Sequence, residues 1–161
     1  MKMRYLVVIM ICGMFALLVG GLVFGAGRAS QSEADALEEI LALERAALDG
    51  WYGESDPTAY AELFADKATY FDPWAGGRVD DSAIKEHLMT FMGNVPKLDY
   101  EIPNPRVDLY GDTAVFTFNE KTTDPKDGTV VRWNVTLVFT RTKDGWERVH
   151  ANWAYAVPPG S

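Results

Sequence analysis

Apolar positions recur along this chain at two periods, and the switch between them separates a helical stretch from an extended one. From Ser32, a cap residue with Asp35 three positions on, Leu37, Ile40, Leu41, Glu44, Leu48 and Trp51 or Tyr52 recur at helical spacing. One face of this first helix is therefore mostly apolar, and Gly50 and Gly53 mark its fraying end. Asp56-Pro57 opens a second, short helix, with a cap residue followed by proline at the first turn. Residues 68–72 are expected as a strand. After the Gly76-Gly77 turn, Asp81 or Ser82 caps a third helix whose buried side carries Ile84, Leu88 and Phe91.

The remainder alternates with period two. Residues 98–110 read as an extended segment, and Pro103 and Pro105 confine it to an edge or a bulge. Gly111-Asp112 turns the chain into a strand over 113–123, and Asp124-Pro125-Lys126-Asp127-Gly128 turns it again into 129–142. Lys143-Asp144-Gly145 then leads into a last strand over 146–155. Three helices followed by a long antiparallel meander predict an α+β domain over 31–157, with a disordered tail over 158–161.

The last hairpin has two ways to close. A two-residue loop would put Val135, Leu137 and Phe139 on one face with Arg148, His150 and Asn152. A three-residue loop gathers Trp133, Val135, Leu137, Phe139, Val149, Ala151, Trp153 and Tyr155 on one face instead. It leaves Arg132, Asn134, Thr136, Arg148, His150 and Asn152 on the other. One residue of slip flips every side chain, so segregation of apolar from polar selects the second register.

The first 30 of the 161 residues do not share this patterning. Lys2 and Arg4 precede an uncharged run over 6–26, which Arg28 closes. Such a run spans roughly 30 Å as a helix, enough for a membrane anchor. Gly27-Arg28-Ala29 offers the small residues of a signal-peptide cleavage site. Both readings stand, and both export the rest of the chain to a periplasmic or extracellular location. Membrane contact is then confined to 6–26, if the leader is retained. Cys12, the single cysteine, lies inside the run, so the exported domain is held without a disulfide.

All 23 acidic residues follow the leader against twelve basic ones, a net charge of −11. That surface repels phosphate backbones and argues against nucleic-acid binding. His87, on the third helix, is expected half-buried, and His150 faces outward. Two histidines on opposite faces give no ligand spacing, so no metal is expected. No phosphate-binding glycine loop or nucleophile motif is present, and no cofactor is expected.

Three stretches carry a resemblance: Asp56 through Pro73; Asn104-Pro105-Arg106-Val107 with Tyr110-Gly111-Asp112; and Asp144-Gly145-Trp146-Glu147-Arg148-Val149-His150. Together they resemble the SnoaL-like, nuclear-transport-factor-2-like superfamily. It includes ketosteroid isomerase and the association domain of calcium/calmodulin-dependent kinase II. The resemblance implies a cone-shaped fold, three N-terminal helices on a strongly curved antiparallel sheet, with a pocket inside and a homodimer through the outer sheet face. Asp72-Pro73-x-x-Gly76 is similar to the segment that carries the isomerase's general base, which makes Asp72 the candidate catalytic residue. The isomerase pairs its base with a tyrosine and a protonated aspartate. Those positions fall on Leu48 and near Val135, and Tyr52 is the nearby substitute. The kinase domain's pocket arginines fall near Lys121, Leu137 and Trp153, of which Lys121 alone keeps the charge.

The expected ligand-binding residues are Tyr52, Tyr70, Trp74, Asn119, Lys121, Trp133, Trp153 and Tyr155. The leading expectation is an exported domain that binds a small, partly apolar molecule in an aromatic-lined pocket. The alternatives are a cofactor-independent isomerase, dehydratase or hydrolase with Asp72 as base, and a structural dimerisation module.

Overall fold

The computed structural model describes residues 32–156, so the expected leader over 1–30 and tail over 158–161 lie outside the described residues. Among the described residues, no helix is long and apolar enough to cross a membrane.

Helix α1 (Glu33–Leu48) starts where the cap predicts, with the Ser32 hydroxyl accepting from the Asp35 amide at 3.1 Å. It does not fray at Gly50. The chain continues as a π-helical turn over Asp49–Glu54 that carries both Trp51 and Tyr52 into the core. Gly50 is needed for closeness: a Cβ there would come within 3.2 Å of the Asp56 carbonyl oxygen. Asp56 then accepts from the Thr58 amide and starts α2 (Thr58–Glu62). Strand β1 (Phe64–Phe71) is longer than expected, and β2 (Arg78–Asp80) folds back on it. Helix α3 (Ser82–Met89) buries Ile84 and Leu88. Pro103 and Pro105 divide the extended segment into β3 (Asp99–Glu101) and β4 (Arg106–Tyr110), both of which pair with β5 (Thr113–Thr123). Strands β6 (Val130–Arg141) and β7 (Trp146–Tyr155) complete a seven-stranded sheet.

The sheet is curled and unclosed, in an α+β arrangement with few helices. It is not wholly antiparallel as expected. Strand β1 lies parallel to β7, with Tyr70 beside Ala151 and Phe71 beside Asn152. The long stretch from α3 through β6 makes that crossover possible, because parallel neighbours cannot be joined by a tight turn.

The last hairpin follows the segregating register for most of its length, with Leu137 opposite Ala151, Val135 opposite Trp153 and Trp133 opposite Tyr155. Nearer the turn it departs. Val138 pairs with His150 but Phe139 pairs with Arg148, so Val149 is an extra residue in β7. This bulge switches the inward-facing positions from Trp146 and Arg148 to Ala151 and Trp153. Arg148 is therefore wholly buried, which corrects its expected place on the outer face. Strand β1 is irregular at the same level, between Phe64 and Thr69, and the Arg148 amide donates to the Leu63 carbonyl at 2.6 Å. Bulges bend a strand and add twist, so the paired irregularities curl the sheet around α1 and α2.

Candidate functional site

The inner face of the curled sheet and the end of α1 enclose an aromatic cavity. Leu48, Trp51, Tyr52, Tyr60, Tyr70, Pro73, Trp74, Trp133 and Trp153 line it. Alternation along β6, and along β7 beyond its bulge, supplies Trp133 and Trp153; the π-helical turn supplies Trp51 and Tyr52, and β1 supplies Tyr70. The rings meet mostly at tilted or edge-on angles, the arrangement that the quadrupoles of aromatic rings favour. Trp153 stands edge-on to Trp133 at 6.1 Å, and Trp74 edge-on to Trp133 at 5.8 Å. The free centre is about 20 Å³, room for one water. Trp74 is 55% exposed and forms the outer wall.

Several polar groups around the cavity are engaged by the protein itself. Trp153 Nε1 donates to the Tyr60 hydroxyl at 2.7 Å, and the rings of Tyr60 and Tyr70 pack at a tilt with centroids 6.5 Å apart. The Tyr52 hydroxyl donates to Glu120 Oε2 at 3.2 Å. Burial pushes the pKa of all three tyrosines up, so they act as neutral hydrogen-bonding groups.

Asp72 lies at the exit of β1 with its side chain fully buried. Oδ1 accepts from the Trp74 amide at 2.9 Å, an Asx turn that Pro73 favours. Oδ2 meets His87 Nε2 at 2.6 Å. An ionised carboxylate only accepts, so the histidine presents Nε2–H to it. The His87 side chain is 21% exposed and packs edge-on to Phe91 at 5.3 Å and to Tyr70 at 6.5 Å. Both Asp72 oxygens are thus occupied, and the half-exposed histidine is the member of the pair that reaches solvent.

Two further carboxylates are buried beside this site. Glu120 sits on the inner face of β5 in line with Phe116 and Phe118, and burial raises its pKa to about 8. It is a neutral acid at neutral pH. Glu44 pairs with Arg148, both fully buried, and the guanidinium lies 4.4 Å from the centre of the Tyr60 ring. Burial pushes the Glu44 carboxyl up more than Arg148 pulls it down.

The structure brings five of the expected ligand-binding residues to one cavity: Tyr52, Tyr70, Trp74, Trp133 and Trp153. Tyr155 stacks behind Trp133 at 4.2 Å and supports the wall without lining it. Asn119 and Lys121 do not reach the cavity. They alternate with the buried positions of β5, where Asn119 bonds Asn104 and Asn134 and Lys121 pairs with Glu101 at 2.6 Å. His150 faces the outer side as expected, with Nδ1 2.7 Å from the Thr69 hydroxyl. Glu120, Tyr60, Trp51 and the Asp72–His87 pairing were not foreseen. The strict alternation of β5 carried the signal for Glu120, since it shares the parity of Phe116 and Phe118. Among the described residues, no cluster of three or more histidine, cysteine or acidic side chains is placed to hold a metal ion.

Comparison with solved structures places this architecture. A crystal structure described as a candidate ketosteroid isomerase from Parabacteroides distasonis is 29% identical, with a TM-score of 0.62 over 74% of this chain and 86% of that one. The association domain of the calcium/calmodulin-dependent kinase II of C. elegans is 23% identical, with a TM-score of 0.63 over 76% of this chain and 97% of that one. A nuclear-transport-factor-2-like protein of unknown function from Pseudomonas putida is 18% identical, with a TM-score of 0.67 over 80% of this chain and 100% of that one. A comparison with curated proteins gave no match. The model of the SnoaL-like domain matches residues 45–158, from the last turn of α1 through all seven strands. A curled sheet closed over an aromatic cavity by its first helices, with that match across most of the chain, makes this protein a member of the SnoaL-like domain family.

Proposed function

We propose that this domain binds a small, flat, partly apolar molecule in the aromatic cavity behind Trp74. The family's fold commonly binds small molecules or acts as an isomerase. The observation that carries the proposal is the lining itself: seven of its nine residues are tryptophan or tyrosine. A core filled only for stability does not need so many large rings against so small a void, whereas a site for a planar ligand does. The present centre holds about one water, so a larger ligand takes the volume of the Trp74 indole as that side chain swings into solvent. Trp74→Ala should open the site and raise affinity for bicyclic aromatics. Isothermal titration calorimetry on the wild type and on Trp74→Ala checks this, and the absence of binding to both would defeat the proposal.

The Asp72–His87 contact supports a second reading, proton-transfer chemistry at the cavity's edge. In it His87 moves the proton and Asp72 positions it, because both Asp72 oxygens are already engaged. His87→Gln should then abolish turnover of any substrate found and leave its binding intact. Loss of binding alone would sink this reading.

The expectations of export and of a homodimer belong with these proposals. The outer face around Phe71, which is 44% exposed and packs on His150, is the surface proposed for pairing. His150→Glu should split a dimer built there, as read by sedimentation.

A further inference from the structure

The cavity wall holds one buried donor that the protein leaves unused. Trp133 is 5% exposed, lines the cavity, and its Nε1 has no hydrogen-bond partner. Among the described residues it is the only lining residue with a buried polar atom in that state. Other polar groups of the wall bond within the protein: Trp153 donates to Tyr60, and Tyr52 to Glu120. A buried N–H without an acceptor carries a full desolvation penalty, and an occupant that supplies the acceptor relieves it. The indole is also held in place before any ligand arrives. Tyr155, its cross-strand partner, stacks on it at 4.2 Å, and Trp153 meets it edge-on.

Charge narrows the class of acceptor. Among the described residues no cation lines the cavity. Arg148 lies against Tyr60 but is paired with Glu44, and Lys121 is paired with Glu101 away from the cavity. The bases behind the wall, Arg148 against Tyr60 and His87 against Tyr70, each face a carboxyl already, Glu44 and Asp72, and Glu120 adds a third acid. A carboxylate or phosphate would lose its water here without gaining a counter-charge. We propose that Trp133 is the specificity-determining donor of the site, and that its ligand is a flat, neutral aromatic molecule bearing a carbonyl or ether oxygen that accepts from Trp133 Nε1–H. This rests on the small-molecule reading above and names the class of molecule that the site takes.

Three bicyclic probes of similar shape separate the outcomes: acetylnaphthalene, with a neutral acceptor; isopropylnaphthalene, with none; and naphthoate, an anion. The expected result is that the wild type binds the ketone about tenfold more tightly than the hydrocarbon, the worth of one buried hydrogen bond, and binds naphthoate no better than the hydrocarbon. Trp133→Phe keeps a ring and removes the donor, so it should erase the gap by weakening the ketone alone. The Trp133 indole N–H resonance of the wild type should move downfield with the ketone and not with the hydrocarbon, a readout that does not depend on the variant folding. Equal binding of ketone and hydrocarbon, an unmoved N–H resonance, or naphthoate binding as tightly as the ketone overturns the inference while leaving an aromatic binding site. No binding of any probe to the wild type or to Trp74→Ala overturns both.

Discussion

Two carboxylate pairs flank the Tyr60–Tyr70 contact, and they differ in one respect that decides what each can do. Glu44 and Arg148 are both sealed from water, with the guanidinium packed among the rings of Tyr60, Phe64 and Phe139. Asp72 is equally buried, but its partner His87 keeps part of its ring exposed. The sealed pair cannot exchange protons or admit a ligand, so its consequence is for stability and for the shape of the cavity floor. The open pair keeps its histidine in reach of solvent, which the proposed proton-transfer reading requires. Placing an acid and a base in contact is not enough; access separates a structural pair from a reactive one.

The largest test of this contrast removes the sealed cation. Arg148→Leu strands Glu44 in the core and should cost about 3–5 kcal/mol. The double variant Glu44→Met/Arg148→Leu should recover most of that loss, because no lone charge remains. Urea denaturation measures both, and equal losses in the single and double variants would refute the assignment.

Glu120 supplies the next test, through pH. Burial pushes its carboxyl up to about 8, from an ordinary value of 4.5. As pH rises between those values the unfolded chain gives up this proton and the folded chain holds it, so stability falls across that window and levels above it. Glu120→Gln should flatten the stability-versus-pH curve there by up to about 1.4 kcal/mol per pH unit. Identical curves for the variant and the wild type would place Glu120 in contact with water.

At the open pair the expected cost is smaller. Asp72→Asn keeps an acceptor for the Trp74 amide and loses the charge facing His87, at about 1.5 kcal/mol. Its signature is a moved His87 ring resonance at fixed pH by NMR, which Arg148→Leu should leave alone. The smallest effect is expected between the two pairs. Trp153→Phe removes one donor to Tyr60 and should cost about 0.5–1 kcal/mol in a thermal melt.

Much of this architecture was legible in the residues. The Ser32 cap, the two long strands over 113–123 and 146–155 and the proline break in the extended segment follow from local rules. The aromatic wall was legible too, because alternation along β6 and β7 places Trp133 and Trp153 on the apolar face. Glu44 stood in the apolar stripe of α1 from the start. Its partner could not be found by patterning, since an arginine among alternating residues reads as solvent-facing until a bulge turns it inward. Asn119 and Lys121 show the converse. They look like pocket polar groups when read singly, but they share the parity of Thr117 and Thr123, away from the core.

The sequence by itself therefore determined the kinds of element, their order, and the set of aromatic residues that share a face, because those depend on periodicity, caps and turns. Tertiary structure alone decided the parallel joining of β1 to β7, the bulge at Val149 that buries Arg148, and the meeting of Asp72 with His87. Each of these joins residues far apart in the chain, or inserts one unpaired residue into a ladder. Such choices are settled by packing across the whole domain, and no local preference encodes them.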